Sequence, residues 1–360
     1  MKMKPMHRNN LVYNYIFALI SVIVIASILI LIQGSDPLEA FSALIKGAIG
    51  NKSAIASSVR WSIPIIISSM AAVVAHRSGI NNLGLDGQIY FGALASALVG
   101  AFIPMPSIIH VFVCILIGGL AGSLFALIPA LLNVIFNINE MVVTLMFNYI
   151  AVLVTEYITL QVMGFGASTN PDQIATPEIQ KTASLSKIMP PYQASTGIFI
   201  AIFIAFLVFL FYKYSVKGYE WKMLGNNKKF AHYGGVNYKL SYLIVFMTSA
   251  FLAGIVGTIE ILGPHQRFRV NFAQNLGWDG IMVALIAKNN PVAAFIFSFI
   301  WGMIKAGSLA MERTTSVNRI IVTLVQAIFV LFVTVDFRQL YLKIKDSIRE
   351  NRAKREEKLV

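Results

Sequence analysis

Twenty-seven consecutive residues between Arg8 and Asp36, and 29 between His110 and Glu140, contain no Asp, Glu, Lys or Arg. An α-helix crosses the hydrocarbon of a bilayer in roughly 20 residues, so each stretch is long enough to span and too long for a helix of a soluble core. Composition agrees: 57% of the residues are hydrophobic and 12% charged, whereas a soluble domain carries about 25% charged residues. Lipid is therefore the solvent for most of this integral membrane chain. The first apolar core, Leu11–Ile32, is longer than the h-region of a signal peptide, and no small-x-small cleavage site follows it. It is expected to be a retained helix.

The single cysteine, Cys114, lies inside an apolar run and excludes an intrachain disulfide or a cysteine-based metal site; it reads as a small packing residue. The net charge of +13 could point to nucleic acid, but the basic residues collect at the termini and in one loop. Membrane topology accounts for them better.

Apolar periods and breakers define ten candidate segments: 11–32, 61–76, 89–103, 108–132, 141–163, 196–212, 240–262, 279–287, 291–308 and 319–337. The eighth is too short to span unless the preceding loop joins it. With the N-terminus in the cytoplasm and alternating crossings, 19 of the 29 Lys and Arg fall inside, so both termini are expected to be cytoplasmic. Residues 33–60 form a first outer segment, in which Asp36-Pro37-Leu38-Glu39 resembles the opening of a short interfacial helix. Residues 164–195, rich in Gly, Pro, Ser and Thr, form a second, and the tail at 338–360 is basic and solvated.

Asn82-Leu83-Gly84-Leu85-Asp86-Gly87-Gln88 breaks the apolar pattern with a carboxylate, and five of its first six letters recur 193 residues later in Asn275-Leu276-Gly277-Trp278-Asp279-Gly280. The segment before the first copy runs outside to inside and the one before the second runs the other way. The expected architecture is an all-α polytopic protein of two inverted repeats, five segments each: about 11–163 and 196–337 in a single transmembrane domain. Chance recurrence in a Leu- and Gly-rich background is the competing explanation.

Ionised side chains at membrane depth are costly unless paired or wetted, so Asp86 and Asp279 are candidates to border a solute path. The bland alternative is that each caps the helix that follows it. Asn82 and Gln88 add uncharged donors and acceptors, suited to a neutral, hydroxyl-rich solute. A second polar group begins at Asn139, where Glu140, Thr144 and Asn148 recur at i, i+4 and i+8 and form one stripe along an apolar helix. That stripe faces either a neighbouring helix or a watery path. Glu156 and Glu260 could line a path or pair with Arg60, Arg77 or Lys305.

The loop 213–239 interleaves Lys213, Lys217, Lys222, Lys228, Lys229 and Lys239 with Tyr219, Trp221, Phe230 and Tyr233, and its glycines imply short helices between turns. It could dock a soluble partner or meet anionic lipid. Gly47-Ala48-Ile49-Gly50-Asn51-Lys52-Ser53 lacks the Gly-Lys pair of a P-loop, and the five histidines have no ligand spacing. ATP binding or metal chemistry in this chain is not expected, which makes a membrane enzyme a weak class.

These residues resemble the permease subunits of ABC importers for simple sugars, nucleosides and branched-chain amino acids, and the nucleoside permeases most closely. Asn82 to Gln88 matches an N-[IL]-G-x-[ED]-G-Q element, here with Asp86 where Glu is commoner. Asn139 to Tyr149 is similar to N-E-x-x-x-T-L-M-x-N-Y, and Gly277 to Pro291 resembles a later signature. Gly218-Tyr219-Glu220-Trp221-Lys222 through Gly225, Asn226 and Gly235 resembles the loop that docks the ATPase. The resemblance implies a bacterial-type, multi-pass cell-membrane subunit importing a nucleoside, with a purine nucleoside foremost, by alternating access. It also implies a second similar permease, an extracytoplasmic solute-binding lipoprotein, and a cytoplasmic ATP-binding protein that holds ATP and Mg²⁺, with no cofactor in this chain. Sugar and branched-chain amino acid permeases are the nearest alternatives. An ion-coupled secondary transporter is a more distant rival, for which the docking-like loop has no role.

Overall fold

The computed structural model describes residues 8–162, 175–270, 272–273, 275–315 and 317–334. Thirteen α-helices are present among them, with isolated β-bridges and no strand: α1 (Arg8–Ile32), α2 (Pro37–Ile49), α3 (Lys52–Arg77), α4 (Leu85–Phe102), α5 (Ser107–Phe136), α6 (Glu140–Tyr157), α7 (Gly197–Tyr214), α8 (Val216–Asn226), α9 (Lys228–Tyr233), α10 (Tyr238–Glu260), α11 (Leu276–Ile286), α12 (Pro291–Thr314) and α13 (Arg319–Thr334). One π-helical turn, Ile158–Val162, extends α6, and another, Ile261–His265, extends α10.

Seven of these helices, α3, α4, α5, α6, α7, α10 and α12, are long and apolar enough to cross a membrane. An eighth span results if the pair Ile20–Ile32 and Pro37–Ile49, bent by 114°, is counted as one. α11, at 11 residues, reaches only about 16 Å, half the hydrocarbon thickness. α13 has 16 residues, and its expected extension to 337 lies outside the described residues.

The expected start of the second segment at 61 is corrected to Lys52. Lys52 and Arg60 lower the hydropathy of that turn, yet Arg60 is paired with Glu260 and the helix runs through it. Asn51 caps α3 by accepting from Ala54 N at 2.8 Å, and Pro37 opens α2 as the sequence implied. Residues 164–174 of the expected outer loop and the basic tail at 338–360 lie outside the described residues. Residues 175–195 form turns and two isolated bridges.

α1 and α13 pack on one another in a unit of their own, and Leu44–Ala310 forms the larger unit. Within the latter, α3 is the central helix: Ile65, Ile66, Ile67, Met70, Ala71, Ala72 and Val73 are all fully buried. It packs on α10, α7 and α11, while α10 packs on α4 and α5. The helix before each motif copy therefore lies against the helix that follows the other copy. Lipid offers no hydrophobic gain for helix association, so close backbone approach and interhelical hydrogen bonds carry it. A Cβ at Gly254 would overlap the Gly118 carbonyl, and one at Gly92 would overlap Gly254. Three helices thus meet at a point without side chains. Between α3 and α12, the Ser69 and Ser298 hydroxyls are 2.9 Å apart.

Candidate functional site

Asp86 stands in the first turn of α4, whose N-cap is Gly84 with no side-chain bond. Its carboxylate does not cap its own helix. Oδ1 instead accepts from the Gly277 N–H at 2.7 Å, across to the first turn of α11. The two copies of the hexapeptide therefore touch, and the acid of one serves the free N–H of the other, where the helix dipole also favours negative charge. Gly277 is required by this approach, because a Cβ there would stand 2.7 Å from Asp86 Oδ1.

Asp279 likewise turns away from its own N-terminus. Its carboxylate takes the Lys305 ammonium on Oδ2 and the Trp301 Nε1–H on Oδ1, the latter at 3.1 Å. Lys305 also lies 4.8 Å from the ring centroid of Trp61, on whose face the Arg60 guanidinium stacks at 3.8 Å. Arg60 Nη2 donates to Glu260 Oε2 at 2.8 Å, and His265 Nε2 lies 3.4 Å from the same oxygen. Of the sequence alternatives for Glu260, the structure selects Arg60, and it gives Lys305 to Asp279.

Behind Asp86, Asn82 and Gln88 form a fully buried reciprocal amide pair with both bonds at 3.0 Å. Asn82 Nδ2 also donates to Ser249 Oγ, which in turn donates to the Ala71 carbonyl, tying the motif to α10 and α3. The stripe on α6 faces this motif. Glu140 Oε1 accepts from Asn81 N at 2.9 Å, while Asn148 Oδ1 accepts from Gly87 N and its Nδ2 donates to the Leu83 carbonyl, both at 2.8 Å. Thr144 donates to the Glu140 carbonyl of its own helix, and Asn139 caps α6 by accepting from Met141 N.

Between α4, α6 and the start of α11 lies a cavity of about 350 Å³, walled by Asp86, Tyr90, Asn148, Tyr149, Asn275 and Trp278 among others. Of the expected path residues, Asp86 and Asn148 line it. Asn82 and Gln88 are buried behind it, Asn139, Glu140 and Thr144 organise α6, and Asp279 is engaged with Lys305. Sequence reasoning missed Tyr90, Tyr149, Asn275 and Trp278. Signals for three of them were present: Tyr90 is one helical turn from Asp86, Tyr149 adjoins Asn148, and Trp278 is the one letter by which the motif copies differ. Tyr90 is held by Phe272 and Phe268, edge-on at 5.3 and 6.3 Å between ring centroids.

The loop 213–239 folds as the glycines implied, into α8 and α9. Ser215 caps α8, and Gly218 lies so close to the Phe211 carbonyl that no Cβ fits. Trp221 is buried, with its ring 4.8 Å from that of Phe211, and Leu224, Ala231 and Val236 make a small core. Gly225 abuts the backbone of Arg77 and Gly79, immediately ahead of the first motif. Gly235 takes φ +83 in the turn after α9. Tyr219, Phe230 and Tyr233 are exposed, and Lys217 pairs with Glu220 at 2.8 Å. Asn226, at the end of α8, is also exposed.

A polytopic helical protein with polar side chains gathered at helix breaks and a cavity beside them is a membrane permease in build. The chain belongs to the family of permease components described as branched-chain amino acid transport system, matched over residues 54–333. It is 30% identical to the guanosine ABC transporter permease protein NupP of Bacillus subtilis, over 88% of this chain and 91% of that one. It is 23% identical to the nucleoside ABC transporter permease protein NupB of Lactococcus lactis, covering 91% of this chain and 93% of the other. To the glucose ABC transporter permease protein TsgB13 of Haloferax volcanii it is 22% identical, over 91% and 88%. No solved structure matches it. The chain is therefore a multi-pass plasma-membrane permease subunit of an ABC transporter, not an enzyme.

Proposed function

We propose that this permease imports a nucleoside, foremost a purine nucleoside, by alternating access through the cavity beside Asp86. The observation that carries this is the pairing of aromatic and polar walls: Tyr90, Tyr149 and Trp278 with Asp86 and Asn275. A flat heterocycle stacks on aromatic faces, while hydroxyls and N–H groups need oxygen acceptors. The volume is at the low end of small-molecule sites. The names of NupP and NupB are in keeping with this cargo.

In this reading the cavity's open side is covered by a second, similar permease, and an extracytoplasmic solute-binding lipoprotein delivers the solute. The exposed Tyr219, Phe230 and Tyr233 on α8 and α9 receive a cytoplasmic ATP-binding protein that holds ATP and Mg²⁺. Trp221, Gly218 and Gly225 pass its stroke inward, since Gly225 rests on the turn before the first motif. Ten crossings in two inverted halves, one of them made by α11 together with the residues that precede it, and both termini cytoplasmic complete the scheme. The reciprocal packing of α3 on α11 and α10 on α4 supports it.

Proteoliposomes holding the permease pair, the ATP-binding protein and the solute-binding protein should accumulate labelled guanosine or adenosine only with ATP inside the ATPase compartment. Accumulation that persists without the ATP-binding protein, or that follows a proton or sodium gradient alone, would refute this function. Competition by glucose but not by nucleosides would move the cargo to sugars.

A further inference from the structure

Resting on the nucleoside reading above, we infer that Asp86 selects the base, favouring one whose edge presents two adjacent N–H donors, guanine before the others. The ring faces of Tyr90, Tyr149 and Trp278 accept any planar base, because every base has a π-face, and stacking on them does not discriminate. Discrimination falls to the polar wall. Asn148, anchored by Gly87 N and the Leu83 carbonyl, keeps one lone pair and one N–H. Asn275 likewise offers a donor beside an acceptor, so neither amide favours two adjacent N–H donors.

Asp86 is differently placed. Its bond to Gly277 N uses Oδ1 and fixes the carboxylate against the head of α11, while the residue still lines the cavity. A carboxylate only accepts, and offers about four lone-pair sites. Guanine meets it with N1–H and the 2-amino group side by side, a two-pronged match of the kind that carries geometric specificity. Adenine presents the N1 lone pair beside its amino group. Cytosine presents N3 likewise, and uracil flanks its one N–H with two carbonyls. Each sets an acceptor against an acceptor, the mismatch that a hydrogen-bonding site rejects most strongly.

The test compares Asp86→Asn with the parent in the complete proteoliposome system, measuring guanosine and adenosine uptake with the same solute-binding protein, whose own preference cancels in the comparison. Asn keeps an oxygen for Gly277 N–H but turns the other acceptor into a donor, the arrangement that pairs with adenine. The guanosine-to-adenosine uptake ratio should fall by about tenfold or more, the worth of a charge-assisted bond. An unchanged ratio overturns the assignment. A second measurement stands should the variant fail to assemble: equilibrium binding of guanosine and 1-methylguanosine to the parent permease–ATPase complex, without the solute-binding protein. Binding of 1-methylguanosine at least about tenfold weaker supports the role of Asp86, and equal binding overturns it. A parent transporter that moves neither nucleoside overturns the nucleoside reading itself and this inference with it.

Discussion

Replacing Arg60 by Met while keeping Glu260 would strand a carboxylate whose side chain is 3% exposed, leaving it His265 at 3.4 Å and the more distant charge of Lys305, which is already paired with Asp279. Replacing Glu260 by Gln while keeping Arg60 would strand a guanidinium that is 11% exposed, one of whose nitrogens, Nη1, already lacks a hydrogen-bond partner among the described residues. Breaking a buried pair from one side costs about 3–5 kcal/mol, whereas removing both charges in side chains of similar volume is nearly neutral or even stabilising. The Trp61 ring stacked on Arg60 at 3.8 Å adds to the loss on the arginine side. Each single variant should thus lose about 3 kcal/mol, more than a hundredfold in the folding equilibrium, and Arg60→Met/Glu260→Gln should recover most of it. A double-mutant cycle on reversible unfolding in mixed detergent micelles, followed by far-UV circular dichroism, reads the coupling. If the double variant is as unstable as the sum of the singles, the two charges do not stabilise one another and the reasoning fails.

Glu140→Ala removes the acceptor of Asn81 N and Nδ2 and should cost about 1.5 kcal/mol or more; amide exchange over residues 78–84 should quicken, and unchanged protection there would refute the assignment. Gly254→Val puts a branched side chain against Gly118 and Gly92, overpacking that should cost about 3 kcal/mol or more; a monodisperse variant with wild-type thermal stability in size-exclusion chromatography would contradict it. Trp221→Ala empties the contact with Phe211 and should abolish solute-stimulated ATP hydrolysis in the assembled transporter while membrane insertion persists. Trp221→Phe should restore most of that stimulation, and full stimulation in the Ala variant would remove α8 from the coupling route.

Uncharged length announced the helices because lipid leaves the backbone no other way to satisfy its polar groups. Boundaries failed where a charge was neutralised at a distance: Arg60 breaks the apolar window of α3, and its partner Glu260 lies 200 residues away. The polar residues were legible as a group, but not in their division of labour. Glu140, Thr144 and Asn148 share a helical face by simple periodicity, yet only Asn148 of the three lines the cavity. Asp86 and Asp279 look equivalent in sequence, and local rules would have each cap its own helix. The bonds to Gly277 and Lys305 depend on how α11 and α12 pack, which no local pattern records. The aromatic walls were overlooked because Tyr90, Tyr149 and Trp278 are marked only by their nearness to polar motif residues, and carry no periodic signal of their own.

The acid of the first hexapeptide grips the main chain of the second, at Gly277, and not a side chain. Such a contact asks nothing of the opposite residue except that it stay small. The letters around it are not held by this contact: Leu85 and Trp278 differ, and the two hexapeptides are joined all the same. A joint made on the main chain is thus blind to side-chain identity on its far side, provided that side stays bare.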